Sequence, residues 1–409
     1  KERLIMRLLY KLLLSLSLSV VCTITLAKSV ETPLSDNLVR LAEIEASLLN
    51  NPTVQTDTDR AEASMYLAKN LAHYLREAEI YADIREPRLL YNPGFGYPNP
   101  DTHYITARID PKGTYRVWGQ LGTVNQTIFG VYSRTALEGD SGARDRLRGE
   151  DLKTDKDGNF ELFMSAKKMD GNWLPLADDV ASMTIYQVFG DWNTECKGQL
   201  MIERIDTQDK PASNLTPASF KKIVHGLDDE IAWFLNLWTD ITQRYHGAIP
   251  DNIVTPPRRI QVTHLGSQFA PGHWNLKDDE ALIIEFEDPK ARYWGFSFYQ
   301  PWGELLDTVT RQTSLNNSQT HKDADGKYRI VVSAIDPGVA NWIDIANHPH
   351  GVFNWRVTID TLPATPVTQV VPVAELEKHL PDDTTYVTAK ERQAVIVERR
   401  RHSARRLSP

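Results

Sequence analysis

Three short segments recur along this chain in the same order and at a nearly constant offset of about 170 residues, and no other feature restricts its fold as strongly. TYRVWG at 114–119 returns as ARYWG at 291–295, DKDGNFELFMSA at 155–166 as DADGKYRIVVSA at 323–334, and GNWLPL at 171–176 as ANWIDI at 340–345. Independent matches would not keep both order and spacing, so the chain reads as two copies of one unit. In each copy an Asp-Gly pair, at 157/158 and 325/326, opens a segment of alternating apolar residues: Phe160, Leu162 and Met164, then Tyr328, Ile330 and Val332. The alternation predicts a strand with one buried face, and Asp-Gly predicts the tight turn leading into it. Further strands are predicted at 181–188, 198–205 and 352–359. The expected fold is mainly β with flanking helices, arranged as two tandem jelly-roll-like β-sandwich units related by internal duplication, at 92–210 and 258–361.

Helical spacing of apolar residues occupies 34–50 and 57–84, with Pro52 between the two runs and Pro87 after the second. It returns at 217–227 and 229–245, where Ile231, Phe234, Leu235 and Trp238 share a face. These stretches define an N-terminal helical region at 28–91 and a helical connector at 211–257. A C-terminal extension at 362–409 carries the run RRRHSARR at 399–406, a charge density that predicts a solvated surface.

At the other end, Lys1, Arg3, Arg7 and Lys11 precede an apolar run of 15 residues at 12–26 that closes on Thr25, Leu26 and Ala27. Basic, apolar and small residues in that order predict a signal peptide at 1–27, cleaved after Ala27, and a periplasmic or secreted mature protein. Met6 offers an alternative start within the basic segment. The run falls short of the roughly 20 residues a spanning helix needs, so no transmembrane segment is expected in the mature chain. Val21 before Cys22 is not the small residue a lipid-anchored precursor carries. Cleavage removes Cys22, leaves Cys196 without a disulfide partner, and moves the formal charge from −8 to −11. So acidic a chain lacks the positive surface that nucleic acid requires, and no nucleic-acid partner is expected.

The sequence has no Gly-x-Ser-x-Gly elbow, no phosphate-cradling glycine loop and no dinucleotide fingerprint, so no cofactor is expected. No metal is expected either. His348 and His350 lack a third ligand at a recognised spacing, and the Asp-Gly turn at 157/158 puts Lys153 and Met164 where a calcium loop needs carboxylates. Glu304 and Asp307 form a weaker pair of carboxylates of the kind used in glycoside chemistry. The stronger candidate is the segment YNPGFGYPNPDTHY at 91–104, whose prolines and glycines hold a shape that is neither strand nor helix. It offers Asp101, His103 and Tyr104 as catalytic candidates, with Asp101 orienting the imidazole. Tyr97 and Asn99, joined by Arg356 and Trp355 from the second copy, are the candidate ligand contacts. Asn172 with Trp173 and Asn341 with Trp342 occur in both copies and are expected to maintain the unit. The functional expectation is an exported envelope protein that binds a small organic or carbohydrate ligand; the alternative is a cofactor-independent enzyme working through the Asp/His/Tyr loop.

Taken together, NPDTHY at 99–104, YRVWG at 115–119, Asp325-Gly326, VANWIDI at 339–345 and FNWR at 353–356 resemble the bacterial proteins of domain of unknown function 1214, often found with domain of unknown function 1254. The resemblance spans about 92–361 and implies tandem jelly rolls and export, and it assigns no catalytic residue.

Overall fold

The computed structural model describes residues 33–80, 87–92, 96–133, 142–211, 214, 216–225, 227–259 and 267–407; the leader expected at 1–27 lies outside them. The fold is mixed α and β with several sheets. Helices α1 (Pro33–Leu49) and α2 (Asp57–Ile80) come first, and α3 (Pro217–His225) and α4 (Leu227–Ala248) connect the two β regions. Helix α2 starts at a reciprocal cap in which Thr56 Oγ1 accepts from Asp59 N–H at 3.1 Å and Asp59 Oδ2 accepts from Thr56 N–H at 2.7 Å. Leu41, Leu48, Tyr66, Tyr74, Ile231 and Leu235 bury the apolar faces of α1, α2 and α4 together, with Trp302 of the second β region inserted among them.

The first β region holds β1 (Leu90–Asn92), β2 (Thr102–Arg108), β3 (Tyr115–Gly122), β4 (Gln126–Ser133), β5 (Ala143–Arg148), β6 (Asn159–Ser165), β7 (Asn172–Pro175), β8 (Val180–Val188) and β9 (Lys197–Arg204). They form two sheets, ordered β1-β2-β8-β4-β5 and β7-β6-β3-β9. Ile105, Val117, Phe129, Leu162, Met164, Met183 and Ile185 fill the space between them. The second region holds β10 (Ile253–Val254), β11 (Arg258–Arg259), β12 (Ser267–Asn275), β13 (Glu280–Glu287), β14 (Tyr293–Tyr299), β15 (Ser314–Asn316), β16 (Lys327–Ser333), β17 (Trp342–Asp344), β18 (His350–Thr358) and β19 (Val367–Pro372). Its sheets run β10-β12-β18-β14-β15, with β11 also on β12, and β17-β16-β13-β19. Trp274, Phe286, Trp294, Phe296, Phe298, Phe353 and Trp355 dominate the core they enclose.

The two pairs of sheets have the same strand order, down to a parallel pairing of β6 with β7 and of β16 with β17. Local bonds match as well. Asn172 accepts from Lys153 N–H and donates to Lys153 O and Glu161 O, while Asn341 accepts from His321 N–H and donates to His321 O and Arg329 O. Trp173 Nε1 donates to Ser165 Oγ at 3.2 Å and Trp342 Nε1 to Ser333 Oγ at 3.0 Å. Each amide thus closes the backbone of two neighbouring segments, a structural duty.

Three expectations need correction. Strand β2 begins at Thr102, so His103 and Tyr104 belong to a strand and not to the preceding loop. The segment at 114–119 enters β3 of a four-stranded sheet, whereas 291–295 enters β14 of the six-stranded one, and the strand order makes β13 the counterpart of β3. That match was a coincidence of Trp-Gly on two different strands. The second unit also extends past 361, because β19 pairs with β13 and completes its sheet. Beyond it, helix α5 (Ala389–Leu407) opens on a Thr388/Glu391 capping box and packs back onto both units.

Candidate functional site

On β14 the side chains of Trp294, Phe296 and Phe298 enter the sandwich core, so alternation sends Tyr293, Ser297 and Tyr299 to the opposite face. On β18 the same rule sends Trp355 inward and Arg356 outward. That outer face meets the first unit, where Tyr293 packs on Ile128 and Val188, and Tyr299 packs on Tyr97. Tyr293 Oη donates to Asp101 Oδ2 at 2.6 Å, and Trp192 Nε1 donates to Asp101 Oδ1 at 2.7 Å. Asn99 Oδ1 accepts from Asp101 N–H at 3.0 Å, and Asn99 N–H donates to Tyr104 Oη at 2.7 Å. Arg356 donates to Tyr299 Oη at 2.6 Å and to the carbonyl of Tyr97, while Tyr299 Oη donates to Pro98 O at 2.7 Å.

The structure therefore brings Tyr97, Asn99, Asp101, Tyr104 and Arg356 into one buried network, and it leaves His103 and Trp355 outside it. Trp355 is 1% exposed and stacks on Phe296 in the second core, so the Arg356 neighbour expected at a ligand is a packing residue. His103 stacks on Tyr91 with ring centroids 5.0 Å apart, and its buried Nδ1 has no hydrogen-bond partner among the described residues. Both Asp101 oxygens are engaged by Tyr293 and Trp192, so the expected Asp101–His103 relay is not formed. Burial, and then the positive charges of Lys197 and Arg406, push the His103 imidazole down to about 4, which keeps it neutral at pH 7. Burial raises Asp101, against the Tyr293 hydrogen bond and the Arg406 charge. The network joins two units, and every one of its five predicted members is well buried or bonded to its neighbours.

The other weaker candidates are also engaged. Glu304 bonds Lys69 Nζ and accepts from Gln300 Nε2 at 2.7 Å, and Asp307 accepts from Val309 and Thr310 N–H, which makes it a turn cap. His348 Nε2 lies 2.9 Å from Glu62 and His350 Nε2 lies 3.6 Å from Asp59, which ties α2 to the second unit. Among the described residues no group of three or more His, Cys, Asp or Glu side chains could hold a metal ion. No described helix is long and apolar enough to cross a membrane.

Sequence reasoning missed two features. The first is the packing of the basic C-terminal run, which was expected in solvent. Arg392, Arg399 and Arg406 recur every seven residues on α5, share one face, and are buried. Arg392 lies 5.0 Å over Trp342, and Trp192 carries Arg399 at 4.8 Å and Arg406 at 3.8 Å. Arg406 also donates to Pro100 O at 2.7 Å, beside Asp101. Burial pulls Arg399 down to about 10, still charged at neutral pH. The seven-residue spacing was the available signal.

The second is an open groove of about 520 Å³ on the outer face of the β7-β6-β3-β9 sheet. Because Val117 and Leu162 point into the core, Arg116, Trp118, Glu161 and Phe163 point out, and the cross-strand pairs set Trp118 between Glu161 and Met201. Lys153, Asp170 and Asn172 line its rim. Arg116 bonds Glu161 and Glu203 and lies 4.7 Å over the Trp118 ring. Its signal in the sequence was an aromatic at the polar phase of a strand, Trp118 between Val117 and Gly119.

Comparison with known proteins bears on the second unit most directly. Residues 273–359 match the family described as "Protein of unknown function (DUF1214)". The DUF1214 match contains Tyr293, Tyr299, Trp355 and Arg356, and it excludes both the Asn99/Asp101 side of the network and the groove. An uncharacterised protein from Burkholderia cenocepacia, known from its crystal structure, is 28% identical with a TM-score of 0.78 over 84% of this chain and 97% of its own. A protein from Vibrio parahaemolyticus is 11% identical with a TM-score of 0.44, over 74% of this chain and 100% of its own. No curated protein matches the chain.

Proposed function

We propose that the chain is an exported envelope protein that binds a small organic or carbohydrate ligand without transforming it, and that the ligand sits in the groove around Trp118. The observation that carries this reading is the contrast between the groove and the predicted loop. The groove is open, has an aromatic floor beside hydrogen-bonding side chains, and lies within the roughly 300–1,000 Å³ of ordinary ligand sites. Asp101, Asn99, Tyr104 and Arg356 instead satisfy one another across a buried junction, so they hold the two units in register. Export rests on the leader at 1–27. The common strand order and the paired Asn–Trp bonds support a duplicated jelly-roll-like ancestor. The association with domain 1254 belongs to the same reading.

A thermal-shift screen of small organic molecules and sugars tests the binding, since a ligand at about 100 times its Kd stabilises the native state by about 2.7 kcal/mol. The expected result is at least one ligand that raises the Tm of the native protein and not that of W118A. A screen in which no shift depends on Trp118 overturns the reading. Export is checked by the intact mass of protein recovered from its host, expected to begin at Lys28; recovery of only the uncleaved chain rejects it.

A further inference from the structure

We infer that the groove of the first unit is a site for a neutral oligosaccharide, with the C–H face of a sugar ring against Trp118 and Met201 and its hydroxyls on Lys153 and Asp170. This rests on the binding reading above and names the ligand class. Four observations select it. The lining mixes apolar surface, from Trp118, Phe163 and the 44%-exposed Met201, with ionic groups on the same few strands. A sugar ring has that same pattern, with an apolar face and a polar edge, whereas an acyl chain would need a continuous apolar wall.

Charge argues against an ionic ligand. The cations Arg116 and Lys153 share the groove with the carboxylates of Asp155, Glu161 and Asp170, and Arg116 is already paired with Glu161 and Glu203. A polyanion would meet those three carboxylates, so phosphate and uronate chains are disfavoured. A cationic ligand on Trp118 would be repelled by the Arg116 guanidinium beside it, which a neutral ligand does not meet.

Two side chains remain to do the recognition. Lys153 Nζ and the Asp170 carboxylate have no protein partner among the described residues, and they supply a donor and an acceptor for hydroxyl groups. Lys153 is also held in place: Asn172 accepts from its N–H at 2.8 Å and donates to its carbonyl at 2.9 Å. A backbone fixed in this way reduces the ordering cost of binding.

The second unit supplies an internal control. There Ile283 and Val331 stand at the register of Arg116 and Phe163 and are covered by Leu376 and Leu380, and Glu285, paired with Arg329, stands at the register of Trp118, so an open aromatic at that place is not a requirement of the architecture.

The test is titration calorimetry of the protein with cellohexaose, maltohexaose and N-acetylchitohexaose, beside hexagalacturonate as the charged comparator. At least one neutral hexasaccharide is expected to bind with a Kd on the order of 1 mM or tighter, little affected by salt. W118A should weaken it by about tenfold or more, and K153M and D170N by about threefold each. The last two substitutions alter exposed rim groups and keep the test decisive if W118A fails to fold. Absence of binding by all three neutral sugars, tighter binding of hexagalacturonate, or binding unchanged by the rim substitutions overturns the proposal. A non-sugar ligand whose thermal shift is lost in W118A would reject the sugar class and keep the groove. No Trp118-dependent ligand of any kind would reject both.

Discussion

Two sheets of the same strand order present opposite outer faces in this molecule. On the second unit's outer sheet Ile283 pairs with Val331, and with Val371 of the neighbouring strand they are covered by Leu376 and Leu380. At the matching register on the first unit Arg116 pairs with Phe163, and the space above them is the groove. The chain that follows explains the difference. After β19 it turns through a 3-10 helix at Val373–His379 laid along the sheet, whereas after β9 it leaves for the helical connector. An inner face must fill a shared core and has little freedom, so the two units keep it; an outer face becomes core or site according to what the next segment covers.

The equivalent tryptophans should break apart most under mutation. Trp342 is buried, donates to Ser333 and carries Arg392 over its ring, whereas Trp173 is half-buried and donates to Ser165 alone. W342A is expected to cost about 3–5 kcal/mol and W173A about 1–2 kcal/mol. Urea-unfolding midpoints of the two variants check this, and equal losses would mean that the deeper burial of Trp342 under Arg392 adds nothing to the second unit.

Two histidines sharpen the comparison through pH. His103 has a folded pKa of about 4 against 6.5 unfolded, so the unfolded chain binds a proton that the folded one refuses. Its contribution is full above pH 6.5 and falls by roughly 3 kcal/mol as pH drops toward 4. His348 has the opposite sign. Burial lowers it, but the hydrogen bond and charge of Glu62 prevail and raise it, so its stabilisation is full below pH 6.5 and is lost as pH rises through the folded value. H103N should flatten the acid side of a stability–pH profile, and H348Q should lower stability more at pH 6 than at pH 8. Profiles that do not change sign between the two variants would reject this assignment.

How much of this was legible in the sequence follows from the range of the interactions. Asn172/Trp173 and Asn341/Trp342 act on segments about 10–20 residues away, so their pattern survives as a readable string. The helices were legible for the same reason, with α1, α2 and α4 close to their predicted spans. Asn99, Asp101, Tyr104 and Arg356 do meet, but what surrounds them depends on Tyr293, Trp192 and Arg406, which the fold brings from up to 306 residues away. No local pattern marks such partners. The C-terminal arginines misled because charge density alone reads as solvated, while the seven-residue spacing that buries them becomes meaningful only with Trp192 and Trp342 facing it. Trp118-Gly119 and Trp294-Gly295 misled because a dipeptide does not specify a strand.

The smallest expected effect is the most direct measure of how alike the two units are. Gly158 and Gly326 sit at φ +77° and +85°, each at the turn that opens the paired strand β6 or β16. The turns share their bonds: Gly158 N–H donates to Asp155 O at 3.1 Å and Gly326 N–H to Asp323 O at 2.9 Å. A Cβ at either position would meet nothing within 4 Å, so the cost of alanine comes from the left-handed backbone alone. G158A and G326A should therefore each cost about 1 kcal/mol, equal within a few tenths. The second turn has one addition, Arg329, which binds Asp323 and Asp325 at 2.7 Å each, yet a methyl group at 326 leaves those ion pairs untouched. Unfolding midpoints that shift equally would make the turns interchangeable in energy as well as in geometry. A markedly larger loss in G326A would show that Arg329 holds its turn to a conformation the first unit does not require.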